Sequence, residues 1–258
     1  MGHIHTSVAA VLCLTDAMTE RPVRYKGLQI QTAQQNKVVW KDTGCAVILG
    51  RDRAYGIDVL IAGKFCQEVR LHIEPESGTP PQVYSIWLQP SRFYPFQEDT
   101  AVIHGKCMAD KLQELYVLWP ANSAKYKLTE TTTAGSDCIS LWGISGSVEG
   151  RTFLFHEDSE NGGREELVTL LGQAEQGKHM YRTKERIQQV YHRGKVKLYK
   201  AAKVSVDSSG GFFAALPSQS KGSARADGKV LFWSGGRTVA ALHIGEEREY
   251  YIQIGASL

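Results

Sequence analysis

From residue 8 onward, apolar positions come in short runs divided by turn residues. In residues 65–73 the pattern alternates: Val69, Leu71 and Ile73 fall on one face of a strand, Arg70 and His72 on the other. Residues 28–31 alternate likewise. Residues 8–14, 37–41, 45–49 and 55–61 complete six predicted strands in the first 75 residues. The gaps between them hold turn chemistry: Thr15-Asp16 through Pro22, Asp42-Thr43-Gly44, the charged corner Arg51-Asp52-Arg53, and Ala62-Gly63-Lys64. Short strands at such regular spacing predict an all-β sandwich.

Residues 74–81 contain Pro75, Gly78, Pro80 and Pro81, which cannot continue a ladder, so a loop should leave the first sandwich here. A strand over 83–88 follows, then an aromatic, proline-bounded crossing segment over 89–96. The predicted domains are therefore 1–98 and 99–258. The second domain repeats the strand pattern at 101–107, 115–119, 138–143, 152–155, 195–199, 202–206, 211–216, 229–233, 238–244 and 250–254. Residues 164–192 differ. Leu167, Leu170 and Leu171 follow Glu165-Glu166 at helical spacing, and Ile187, Val190 and Tyr191 repeat it. The expectation is all-β: two β-sandwich domains, the second with a small helical insertion near 164–192. Asp42-Thr43-Gly44-Cys45-Ala46-Val47 and Asp207-Ser208-Ser209-Gly210-Gly211-Phe212 form a degenerate repeat of turn and strand.

Three stretches carry a family resemblance: Leu12-Cys13-Leu14-Thr15-Asp16 continuing to Thr19-Glu20-Arg21-Pro22-Val23, the Asp42–Val47 hairpin, and Tyr55-Gly56-Ile57-Asp58-Val59 with Ala62-Gly63-Lys64-Phe65. Residues 7–75 resemble the carboxypeptidase-regulatory-like or transthyretin-like β-sandwich modules. The resemblance implies a structural or binding module and no catalysis. Followed by the segment from Trp87 to Phe96, the pattern also resembles accessory proteins of phage-tail-like contractile injection particles.

Composition narrows the field. Of 258 residues, 42% are hydrophobic and 22% charged, which excludes wholesale disorder. Thirty Lys and Arg stand against 27 Asp and Glu, a net +3 that does not select nucleic acid as the main partner. The longest apolar run, residues 8–14, is far below the ~20 residues of a membrane-spanning helix, and it lacks a basic lead-in, so the expectation is a cytoplasmic protein. Cys13, Cys45, Cys66, Cys107 and Cys138 are odd in number, widely spaced and without a CxxC motif. That predicts buried, reduced thiols and neither a disulfide framework nor a zinc site.

No motif predicts a catalytic, cofactor or metal site. His3 and His5 lack a third ligand nearby, and Ser145 lacks the G-x-S-x-G setting. Ser208-Ser209-Gly210-Gly211 and Ser234-Gly235-Gly236-Arg237 read as hairpin turns, since no Gly-Lys-Ser/Thr follows. Glu157-Asp158-Ser159-Glu160-Asn161 reads as a solvated loop without calcium-loop spacing. Two stretches stand out as contact elements. One is aromatic: Tyr84, Trp87, Arg92, Phe93, Tyr94 and Phe96. It should either pack between domains or form an exposed patch. The other is basic: Lys178, Tyr181, Arg182, Lys184, Arg186, Tyr191 and Arg193. It suits a solvated face, an acidic protein or, with its tyrosines, nucleic acid.

These features predict a non-enzymatic structural or adaptor subunit, with other protein subunits as partners rather than nucleic acid, small molecules or cofactors. The alternative is a carbohydrate-binding module using Trp40, Trp87, Trp119, Trp142 or Trp233 as a platform. An enzyme would require a carboxylate to converge on a histidine such as His104 or His243.

Overall fold

A computed structural model describes the chain except for residues 1–6, 24–25, 34–35, 42, 51–55, 75–80, 109–113, 122–125, 145–147, 159, 161–162, 176, 178, 217–228, 246 and 256–258. His3, His5, Asp42, Arg51-Asp52-Arg53, Ser145, Lys178 and most of the proline loop after Glu74 lie outside the described residues. The chain divides into two compact units, Met1–Pro95 and Phe96–Leu258. As expected it is all-β, and the described elements are strands.

The first unit contains β1 (Ser7–Asp16), β2 (Arg21–Pro22), β3 (Gln29–Thr32), β4 (Lys37–Trp40), β5 (Cys45–Gly50), β6 (Ile57–Gly63), β7 (Cys66–Ile73) and β8 (Gln82–Leu88). One sheet runs β2-β1-β5-β4 with β8 also on β1, and the other runs β3-β6-β7. Alternation drives both. Leu12, Leu14, Ala46 and Ile48 from one sheet meet Ile57, Val59, Ile61 and Ile73 from the other in a single buried core. Val69 and Leu71 pack against that core while Arg70 and His72 stay exposed. There Arg70 pairs with Glu68 at 2.7 Å and His72 with Asp58 at 2.6 Å.

The second unit contains β9 (Ala101–Cys107), β10 (Leu115–Pro120), β11 (Lys127–Leu128), β12 (Cys138–Trp142), β13 (Thr152–Glu157), β14 (Glu165–Gln173), β15 (Met180–Thr183), β16 (Val196–Val204), β17 (Gly211–Leu216), β18 (Lys229–Ser234), β19 (Arg237–His243) and β20 (Glu249–Ile254). A nine-stranded sheet runs β11-β12-β15-β14-β13-β16-β10-β18-β19, and a three-stranded sheet runs β17-β9-β20. The small sheet stacks on part of the large one. Ile103, Phe212, Ala214 and Tyr250 meet Val117, Val204, Val230 and Phe232 in a shared core.

The rest of the large sheet curls. The hydroxyl of Thr238 on β19 donates to the Glu165 carboxylate on β14, 3.2 and 3.3 Å from its two oxygens. Four strands separate β14 from β19 in the sheet. Laid flat, five inter-strand steps would hold them about 24 Å apart. Inside the curl lie Leu118, Leu154, Leu231 and Trp233, all at most 5% exposed. A third core, with Phe153, Phe155, Val168, Leu170 and Tyr191, occupies the opposite face of β13 and β14.

This double-sided burial explains why the described residues of 164–192 show strands and turns in place of the predicted helical insertion. The segment forms β14 and β15, with turns after them. Val168 and Leu170 face one core while Leu167 packs against the other, so apolar residues fill consecutive positions and imitate helical spacing. Leu171 is exposed, and a register shift lies between Leu170 and Gly172. The predicted strands 195–199 and 202–206 are one continuous strand, β16. Of the two glycine runs, residues 234–237 close a hairpin, whereas residues 208–211 make a turn between β16 and β17, which belong to different sheets and meet beside it at the isolated bridge Val206↔Phe212. Gly235 and Gly236, at φ of 58° and 83°, supply the two positive angles that a tight β18–β19 turn requires.

In each unit the first strand pairs in parallel with the last: β1 with β8 from Ala10↔Gln82 to Asp16↔Leu88, and β9 with β20 from Val102↔Glu249 to Cys107↔Ile254. The thiols depart from expectation. Cys66 and Cys107 are buried, but Cys13, Cys45 and Cys138 are only half-buried, because their strands turn them away from the cores.

Candidate contact surfaces

The crossing segment is tied down along its length. Ser91 N–H donates to Phe65 O and Gln67 N–H to Gln89 O, at 3.1 and 2.8 Å, while the Ser91 hydroxyl donates to Lys64 O. The anchor is Asp16, 6% exposed, at the end of β1. Its Oδ1 accepts the Met18 and Thr19 amides at 2.8 and 3.2 Å, and its Oδ2 accepts the Tyr94 hydroxyl at 2.8 Å. Burial, then the hydrogen bond to Asp16, push the Tyr94 phenol well above its ordinary range. Tyr84 packs against the first unit's core with its hydroxyl donating to Gln82, and Trp87 is half-buried. Of the predicted contact residues here, Arg92 and Phe93 are exposed, the guanidinium 5.3 Å from the centre of the Phe93 ring, which is 58% exposed.

The basic stretch is split by its fold. Tyr181 and Tyr191 are core residues, 4% and 0% exposed, so neither offers a stacking face. Arg182, Lys184, Arg186 and Arg193 point to solvent. Lys178 lies outside the described residues. Lys197 is engaged with Asp158 at 3.0 Å, and Lys200 sits 4.9 Å over the Tyr126 ring.

A surface that the sequence did not single out lies on the outer face of β17-β9-β20. Phe213, His104 and Tyr251 are register partners across the three strands. His104 stacks on Tyr251 at 5.2 Å and 17°, meets Phe213 edge-on at 5.5 Å, and Phe213 meets Phe96 at 5.9 Å. This four-ring row places Phe96 in a packing role and ends on Tyr251, 73% exposed. Among the described residues β20 pairs only with β9, so the row runs out to a sheet edge. Glu249 accepts the Tyr251 hydroxyl at 3.1 Å, and Gln253 and Lys106 flank it, both exposed.

Ionisable groups converge elsewhere, at the mouth of the curl. His156 Nδ1 lies 2.8 Å from Glu165 Oε1, and its Nε2 lies 3.4 Å from Asp158 Oδ1. Both ring nitrogens thus face carboxylates. His104 is instead stacked among aromatic rings, and His243 is exposed on β19. The acidic loop is not simply solvated. Glu157 is fully buried, its Oε1 accepting the His192 amide at 2.7 Å and its Oε2 3.7 Å from Arg164. Burial raises the Glu166 carboxyl against amide donation from Gln188 and Gln189. Burial, with Glu166 and Glu157 alongside, raises the Tyr191 phenol. Among the described residues no group of three His, Cys, Asp or Glu is placed to hold a metal, and no helix is long and apolar enough to cross a membrane.

No protein-family model matches the chain, and no curated protein matches it in sequence. Among solved structures, the Bacillus anthracis TIE protein is 10% identical over 96% of this chain, with a TM-score of 0.23. This chain spans 50% of that protein's length. The shaft pilin SpaA from Lactobacillus rhamnosus GG is 11% identical over 96% of this chain and 97% of its own, with a TM-score of 0.21. Scores this low define no common fold.

Proposed function

We propose that the chain is a non-enzymatic structural or adaptor subunit that is held by neighbouring protein subunits in a larger assembly. The observation that carries this reading is the aromatic row ending on Tyr251 at the edge of β20. An edge strand presents backbone donors and acceptors to another chain, and a bare aromatic ring beside it supplies apolar contact area. The fitting occupant is an extended segment of a partner subunit, added as a fourth strand beside β20 with an apolar side chain against the free face of Tyr251. A tail-like injection particle is the finer reading of the assembly. A sugar platform is less well supported: the His104 and Tyr251 rings stack on each other, and of the tryptophans only Trp40 and Trp142, one in each unit, are among the exposed large residues.

The test places a photo-crosslinking residue at position 251 of the full chain in its native host. The expected product is a covalent adduct with one co-assembled protein, mapped to an extended segment, and weakened by a Gln253→Pro substitution that spoils the edge. Recovery of the chain as a lone monomer without adduct overturns the reading.

A further inference from the structure

The outward face of the first unit's larger sheet brings two thiols together. Cys13 on β1 and Cys45 on β5 are register partners across an antiparallel pair, and their Sγ atoms lie 2.8 Å apart. The next position fixes the kind of pair: Leu14 N–H donates to Gly44 O at 3.1 Å. Hydrogen-bonded and non-hydrogen-bonded pairs alternate, so Cys13 and Cys45 form the second kind. There the Cα atoms stand about 4.5 Å apart and side chains come closest. That separation lies within the range of about 4.4–6.8 Å that a disulfide spans. Closing the bond to about 2.05 Å needs a sulfur shift of less than an ångström. Both residues are half-buried, while Leu12, Leu14 and Ala46 turn inward. The pair therefore faces away from the core, where a reagent can reach it.

We propose that Cys13 and Cys45 are a redox-responsive site that closes into a cross-strand disulfide by exchange with a low-molecular-weight disulfide such as oxidised glutathione. One thiolate attacks the reagent's sulfur, forming a mixed disulfide and releasing one reduced thiol. The second thiolate then attacks the protein sulfur of that mixed disulfide and expels the other reagent half as a thiol. The two protein thiols lose two electrons and two protons, and the reagent disulfide takes up both. The remaining cysteines are poorer competitors. Cys66 and Cys107 are buried in separate units, and the register partners of Cys66, Cys107 and Cys138 are Gly63, Ile254 and Arg182, so none of the three has a second thiol opposite it to resolve a mixed disulfide. The bond would fasten β1, the strand that pairs with β2, β5 and β8, to β5 and enclose residues 14–44 in a covalent loop.

The full chain, reduced and then incubated with oxidised glutathione, is alkylated in denaturant and digested without reductant. The expected result is a Cys13–Cys45 linked peptide, three alkylated thiols of the five, and full reversal by dithiothreitol. The first unit's unfolding midpoint should rise by about 10–20 °C in the oxidised form, with no rise in Cys13→Ser or Cys45→Ser. Five alkylated thiols, stable glutathione adducts on both residues, or linkage scattered over other cysteines would overturn the proposal. The peptide readout uses the unsubstituted chain, so it stands even where a serine variant folds poorly.

Discussion

Removing the Tyr94 hydroxyl tests how the crossing segment is held. In Tyr94→Phe the ring keeps its packing, but Asp16 Oδ2 loses the donor 2.8 Å away. Asp16 is 6% exposed, so water cannot freely replace that donor. A hydrogen bond to a charged group contributes about 1.5–3 kcal/mol. Taking about 2 kcal/mol, opening of β1 should become about 30-fold more frequent. Hydrogen exchange by mass spectrometry reads this directly, as a fall of that size in protection over β1 and β8. The paired control is Tyr116→Phe, whose hydroxyl meets the Glu114 carboxylate, 52% exposed, at 3.5 Å. That loss should cost under about 0.5 kcal/mol. A change in protection below about threefold for Tyr94→Phe, or an equal effect from both variants, would refute the claim that Asp16 fastens the segment.

Glu166 has its carboxyl raised by burial, so the ionised form is disfavoured in the folded chain. Its contribution is fully present below the unfolded value near 4.5 and is lost as pH rises through the folded one. Glu166→Gln should therefore gain stability over the wild type at pH 8 and gain nothing at pH 4, measured by urea unfolding at both. A Cβ at Gly105 would stand 1.9 Å from Phe212 Cζ, so Gly105→Ala should destabilise the second unit by about 1–3 kcal/mol. Phe212→Leu in the same chain should recover part of that loss, and strictly additive costs in calorimetry would reject the clash. Thr238→Val removes the hydroxyl that bridges β19 to Glu165 and should loosen β19 by about 1 kcal/mol. Exchange over residues 237–243 should rise; unchanged exchange there would mean that the bridge contributes nothing.

Local patterning carried the β6 and β7 hairpin into view, because each strand has one face on the core and one on solvent. The Ile57, Val59, Ile61 and the Val69, Leu71, Ile73 alternations say so residue by residue. β14 was misread because both of its faces are covered, a circumstance set by strands distant in sequence. The Cys13–Cys45 contact depends on register across 32 positions, and no spacing rule reports it. The ring row joins positions 96, 104, 213 and 251, which nothing links until three strands are laid side by side. Tyr181 and Tyr191 looked like interleaved stacking groups among basic residues. The chain instead uses them as core filling, with the charges on alternate or turn positions. Glu157 was equally opaque, since its burial depends on Arg164 and the His192 amide closing over it.

The pairing of first and last strands has a mechanical consequence. Tension entering the first unit at the start of β1 and leaving at the end of β8 pulls two parallel neighbours lengthwise in opposite directions. The same holds for β9 and β20 in the second unit. Rupture then requires sliding a whole row of cross-strand bonds at once, where a hairpin pulled from its open end would peel one bond at a time. A chain wired this way resists stretching within each half when load is applied along those strand pairs.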